Sequence, residues 1–134
     1  MCGICGQLRF DSQIVNSKDL NLMMSKIARR GPDSSGEWIE QSIGFGHQRL
    51  SIIDLSNFGA QPMVDAALDL VLVFNGTIYN YKALRAELIK KGYKFFSHSD
   101  TETILKPYHH WGENCVRHLD GMVALCIWDK KQQQ

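Results

Sequence analysis

The sequence predicts a mixed α+β fold in which strands are mostly grouped and do not strictly alternate with helices. Two short apolar runs, Leu70 to Phe74 and Met122 to Trp128, read as buried strands. Apolar residues at Leu20, Met23, Met24 and Ile27 recur at helical spacing. Glycine, proline and asparagine punctuate the segments between them. A chain of 134 residues has room for one domain, residues 1–134. At that size folding buries roughly 70% of the unfolded surface.

Taken in order, Ile4 to Phe10 begins as a strand, and Gly3 and Gly6 permit a close backbone approach that tucks the chain start into the fold. Ser17 or Asp19 can cap the following helix, and Arg29 and Arg30 suit its C-terminal end. Gly31 to Gly36 is a loop by composition, with strands predicted at Glu37 to Ser42 and around Gly46 to Ile53. Residues 55 to 67 read as irregular. Leu68 to Phe74 is predicted as a central strand ending in a tight turn at Asn75-Gly76. A helix over Tyr81 to Lys91 is closed by Gly92. Ser99 and Glu102 have capping-box spacing for a further helix, which Pro107 must kink or end. A short helix near Glu113 to His118, a strand from Met122 to Trp128 and a frayed Gln132-Gln133-Gln134 tail complete the chain.

Composition excludes several classes. Hydrophobic residues make up 44% and charged residues 22%, as in an ordinary folded domain and unlike a disordered or membrane-embedded chain. Fifteen Lys and Arg against fourteen Asp and Glu leave a net charge of +1, so no broad field attracts nucleic acid or a membrane surface. No apolar run approaches the roughly 20 residues of a membrane span. The start has no basic stretch followed by an apolar segment, so a cytoplasmic location is expected. Without a secretory signal, Cys2, Cys5, Cys115 and Cys126 argue against a disulfide framework. Cys5, Cys115 and Cys126 read as core residues.

The opening Met1-Cys2-Gly3-Ile4-Cys5-Gly6 carries the most distinctive chemistry. If Met1 is removed, Cys2 holds a nucleophile and a base in one residue, because an α-amine with a pKa of about 7.7 to 8.0 can take the thiol proton. The bland alternative is a small apolar side chain near a chain end. Cys2 and Cys5 form a single C-x-x-C pair with no second pair, and His109 and His110 are adjacent, so no metal site is expected.

Seven stretches carry a family resemblance: Met1 to Gly6, Arg30-Gly31-Pro32-Asp33, Gly46-His47-Gln48-Arg49-Leu50-Ser51-Ile52-Ile53-Asp54, Gln61-Pro62, Phe74-Asn75-Gly76-Thr77-Ile78-Tyr79-Asn80, Ser99-Asp100-Thr101-Glu102 and Ile127-Trp128-Asp129. In these, and in their order, the chain resembles class II glutamine amidotransferases, specifically the glutaminase domain of glutamine-hydrolysing asparagine synthetases. The resemblance implies a four-layer αββα N-terminal-nucleophile hydrolase fold with two antiparallel sheets. It also implies that Cys2 attacks the side-chain amide of L-glutamine, forming a thioester and releasing ammonia. Asn75 and Gly76 would form the oxyanion hole, Arg49 would hold the α-carboxylate and Asp100 the α-ammonium, while Arg30 to Asp33 would shape a loop. A guanidinium suits the first of these charges and an acceptor-only carboxylate the second.

One position departs from the family. Thr77 stands where the family has a glutamate that helps bind the substrate ammonium. A neutral hydroxyl in its place costs about 1 to 3 kcal/mol of substrate binding.

By the same resemblance the glutaminase reaction needs no cofactor, and ATP and Mg²⁺ belong to a synthetase domain that uses the ammonia to make asparagine. No pyrophosphate loop or P-loop is present in this sequence. The partners implied are L-glutamine and a synthetase domain or chain, and self-association into a homo-oligomer stays open. Two alternatives remain: a non-catalytic remnant, or the glutaminase domain of a related sugar, polysaccharide or purine-precursor amidotransferase. Family domains continue beyond the Trp-Asp position, so the chain is expected to lack its C-terminal part. The Met122 to Trp128 strand would then present an unpaired edge and the fold would be marginally stable.

Overall fold

A computed structural model describes all of residues 1–134. It contains six strands, β1 (Gly3–Leu8), β2 (Ser34–Glu40), β3 (Ile43–Arg49), β4 (Met63–Asp65), β5 (Leu70–Ile78) and β6 (Gly121–Asp129). Three helices accompany them, α1 (Ser17–Lys26), α2 (Tyr81–Lys90) and α3 (Glu102–Trp111). The strands form two antiparallel sheets of three, ordered β1-β3-β2 and β4-β5-β6. No helix is long and apolar enough to cross a membrane.

Side-chain alternation along β5 explains how the layers assemble. Val71 and Val73 pack with Ile43, Phe45 and Trp128 between the two sheets. Leu70, Leu72, Phe74 and Ile78 point the other way, onto Leu84 of α2 and Ile104 and Leu105 of α3. Both faces of β5 are therefore covered, which is why its sequence is continuously apolar rather than alternating. Helix α1 lies against the first sheet, where Leu20 and Met24 are buried. The resulting order is α1, sheet, sheet, then α2 with α3, the αββα layering expected from the resemblance.

Several local expectations are corrected. Asn16, not Ser17 or Asp19, caps α1, its Oδ1 accepting from Lys18 N at 2.9 Å. Strand β1 ends at Leu8, β2 and β3 begin at Ser34 and Ile43, and the chain leaves the first sheet at Arg49. The irregular 55–67 stretch contains a 3-10 turn at Asn57–Gly59 and the short β4. Asn75-Gly76 makes no turn, because β5 runs through it to Ile78. A Cβ at Gly76 would strike the Met122 carbonyl oxygen, so the glycine permits β6 to lie close against β5.

The capping box at Ser99 does not form either. Ser99 Oγ accepts from Thr101 N at 3.0 Å, and α3 starts at Glu102, whose carboxylate turns back to Phe96 N, Ser97 N and Ser97 Oγ. Pro107 sits inside α3 without ending it. Residues Gly112–His118 are 3-10 rather than α-helical. The glutamine tail folds back, Gln134 O accepting from Asp129 N at 2.8 Å.

Strand β6 also differs from a buried run. It pairs with β5 alone and leaves Met122, Val123 and Cys126 exposed, so Cys126 is not a core residue. Cys115 is buried and Cys5 half-buried. The other edge of β6 has no partner strand.

Candidate active site

One cleft brings together all six residues singled out from the sequence. Cys2, Arg49, Asn75, Gly76, Thr77 and Asp100 line it, along with Met1, Leu50, Gln61 and Ser99. They come from the start of β1, the end of β3, the second half of β5 and the loop before α3, segments up to about a hundred residues apart in the chain.

The antiparallel ladder places Cys2 beside β3, one residue beyond the Gly3–Gln48 pair. Its Sγ accepts from Leu50 N at 3.3 Å and lies 3.6 Å from Leu50 O. Arg30 Nε donates to the Cys2 carbonyl at 3.0 Å. Asp33 takes the Ser51 N–H at 2.7 Å, and its own N–H donates to Arg49 O at 3.0 Å. The Arg30 to Asp33 stretch thus ties the chain start and the loop after β3 together, the shaping role implied by the resemblance.

Strand β3 turns one row of side chains toward the second sheet, Ile43, Phe45, His47 and Arg49, all buried. The row passes from apolar to cationic as it nears the cleft. Arg49 donates to the carbonyl oxygens of Ser56, at 3.0 Å, and of Asp54. Asp54 in turn accepts from His98 N at 2.8 Å, linking this loop to the one that carries Asp100. Two carbonyl partners and the absence of a Cβ at Gly59, where one would meet the guanidinium, hold Arg49 in a single place.

Ladder geometry decides what β5 offers. Odd-numbered residues bond toward β6, as Lys130 N to Asp69 O and Tyr79 N to Asp120 O continue at either end. Even-numbered N–H groups therefore point to the opposite edge. There β4 covers only Leu70 and Leu72. Beyond it Phe74 N donates to Gln61 Oε1 at 2.6 Å and Ile78 N to Asp100 Oδ2 at 3.1 Å. The Gly76 N–H shares this edge, between two side-chain partners, and the Asn75 and Thr77 side chains share the face that Val73 turns toward the first sheet.

Asp100 is buried, and loss of solvent pushes its carboxyl pKa above the ordinary value against the pull of the Ile78, Asp100 and Thr101 N–H groups. Such a carboxylate is poised for a cation. No group of three His, Cys, Asp or Glu side chains gathers into a metal site.

Sequence reasoning passed over three residues here. His47 and Gln61 both bond the Phe74 backbone, at 3.3 Å and 2.6 Å. Glu102 ties the 96–97 backbone down before Asp100. The period-two row along β3 was the available signal for His47. Gln61 and Glu102 stood inside recognised motifs without a role, since only the fold reveals what they touch.

An αββα fold with a thiol, an arginine, a buried carboxylate and an open strand edge in one cleft defines an amidotransferase-type site. The glutamine amidotransferase domain family matches residues 1–134, and the chain belongs to that family. It is 40% identical over 135 residues to the asparagine synthetase [glutamine-hydrolyzing] 3 of Bacillus subtilis, a match covering 98% of this chain and 22% of that protein. Asparagine synthetase B [glutamine-hydrolyzing] of Escherichia coli is 38% identical over 133 residues, covering 98% and 24%. A fungal relative, amidase chry2 of Gibberella zeae, is 40% identical over 119 residues, covering 87% and 18%. The chain spans about a fifth of the length of these relatives.

Proposed function

We propose that this chain hydrolyses L-glutamine to glutamate and ammonia through an N-terminal cysteine. The observation that carries the reading is the open edge of β5, where Gly76 N–H and the Asn75 side chain share one cleft with Cys2, Arg49 and Asp100. Once Met1 is removed, the Cys2 thiol gives its proton to its own α-amine and Sγ attacks the amide carbon. The carbonyl oxygen becomes an oxyanion held by Asn75 and Gly76. Collapse breaks the C–N bond, the ammonium proton goes to the leaving group, and ammonia departs from a thioester. Water then attacks the thioester, glutamate leaves and the thiol re-forms. Arg49 and Asp100 hold the two charged ends of the substrate's α-carbon.

Glutamate release from L-glutamine by the Met1-processed chain tests the reading; no release, with no mass gain from a glutamine-like affinity label, rejects it. Supplying the missing charge should help: Thr77→Glu is expected to lower KM for glutamine about tenfold, since roughly 1.4 kcal/mol of binding is a factor of ten. An equal KM in both proteins would dismiss Thr77 as the cause of weak binding. Thr77 also supports a second reading, a module that binds glutamine weakly without turning it over.

The pH dependence of KM follows from Asp100. Its carboxyl, raised by burial, is neutral below its pKa and cannot pair an ammonium. KM is therefore expected to climb as pH falls through a value above the ordinary 3.8 of aspartate, and to lose that climb in Asp100→Asn. A KM curve identical in the two proteins would free Asp100 of the role.

By analogy with the asparagine synthetases, the ammonia would pass to a synthetase domain that uses ATP and Mg²⁺, held by residues outside this chain. The four unpaired cysteines support a reducing compartment, the cytoplasm.

A further inference from the structure

Phe74 immediately precedes the two oxyanion-hole residues, and its backbone is held by side chains instead of a strand. Strand β4 ends opposite Leu72. At the next even position Gln61 Oε1 accepts the Phe74 N–H at 2.6 Å, while His47 Nε2 lies 3.3 Å from the Phe74 carbonyl oxygen. To bond a carbonyl, His47 must carry its proton on Nε2 and donate. The ring is fully buried, and its Nδ1 has no partner. Burial, with Arg49 nearby and against the Phe74 carbonyl, lowers its pKa to about 4. At neutral pH it is thus an uncharged donor that crosses from one sheet to the other. Gln61 also reaches Thr101 Oγ1 at 3.5 Å, so one amide spans β5 and the loop carrying Asp100.

These contacts sit where a longer β4 would have paired. A backbone strand there would cover Gly76 as well and close the cleft, whereas two side chains can secure Phe74 and leave the next N–H free. We propose that His47 and Gln61 are positioning residues for amide hydrolysis, holding the N–H and the carbonyl of Phe74 on this one edge so that Asn75 and the Gly76 N–H meet the developing oxyanion. The proposal rests on the glutaminase reading above. Small misplacements suffice for a large effect, because a shift of about 1 Å can cost on the order of 100-fold in rate.

Steady-state kinetics of the Met1-processed chain test it. His47→Phe and Gln61→Met are each expected to lower kcat by about 10- to 100-fold. KM for glutamine should stay within about twofold, because neither the His47 nor the Gln61 side chain bonds Arg49 or Asp100, the groups that hold the ground state. Gln61→Glu, which keeps an acceptor for Phe74 N–H, should recover most of kcat. Unchanged kcat in folded His47→Phe and Gln61→Met, or a rise in KM alone, overturns the proposal. Residue-resolved amide exchange gives a second readout that does not need turnover. Gln61→Met should expose the Phe74 amide while Val73 and Asn75, bonded toward β6, keep wild-type protection. Should wild-type protein release no glutamate, the glutaminase reading fails and the positioning role falls with it; glutamate release with unchanged kcat and unchanged Phe74 exchange in the variants removes the positioning role alone.

Discussion

Cys2→Ala is expected to abolish glutamate release, a loss on the order of 10⁴-fold or more, since removing a nucleophile leaves only binding and oxyanion stabilisation. The structure supports so large an effect. Only one thiol lines the cleft, and neither His47 nor any other histidine does. The remaining cysteines are elsewhere: Cys115 is buried, Cys126 lies on the outer edge strand, and Cys5 pairs with Gly46 within the first sheet. Loss of the thiol therefore has no substitute. Retaining Met1 should be nearly as damaging, because the Cys2 nitrogen is then a peptide N–H with no basic lone pair, and Met1 itself occupies the cleft wall. Intact mass establishes processing before any assay is read. Turnover by Cys2→Ala at more than a few per cent of the parent would reject the nucleophile.

Lys106→Met is expected to destabilise the fold by about 3–5 kcal/mol, the usual cost of leaving buried charge without its partner. Lys106 Nζ pairs with Asp65, at the end of β4, and lies 3.5 Å from Glu102 Oε1, and all three side chains are at most 6% exposed. The ammonium also sits 5.4 Å from the centre of the Phe96 ring. Two carboxylates share one cation, so its removal strands both. Glu102 further accepts from the Phe96 and Ser97 backbone, and Ser97 Oγ accepts from Ser99 N at 3.2 Å, so the damage should spread to the loop bearing Asp100. A urea titration should show the midpoint lowered with an unchanged slope. Adding Asp65→Asn and Glu102→Gln should recover part of the loss by neutralising the stranded charges. An unfolding free energy within about 0.5 kcal/mol of the parent would mean that the trio contributes little.

The identity of the cleft residues was readable because their chemistry is local. A thiol next to the start, an arginine after His47-Gln48 and a carboxylate in Ser99-Asp100-Thr101-Glu102 each stand in a motif of several residues. The layering was readable for a related reason, since the uninterrupted apolar run of β5 demands cover on both faces. What failed were boundaries and caps. Asn75-Gly76 has the composition of a tight turn, yet pairing with Ala124 and Val123 carries β5 straight through it. Glu102 has the spacing of a capping box, yet its carboxylate finds three donors at residues 96 and 97 and none at Ser99. In both cases hydrogen bonds from a distant segment outweighed a local preference that is weak by comparison.

By itself, then, the sequence determined which groups are present for chemistry and how many apolar faces each element must bury. Tertiary structure alone decided which backbone groups stay free. Gly76 N–H is open because β4 stops at Met63 and because Gln61 and His47 hold Phe74 in place of a strand. Such an outcome depends on residues 13 and 27 positions away from Phe74. The physical reason is that hydrogen-bond satisfaction is settled across the whole fold, whereas motifs and periodicities record only the chain's near neighbours.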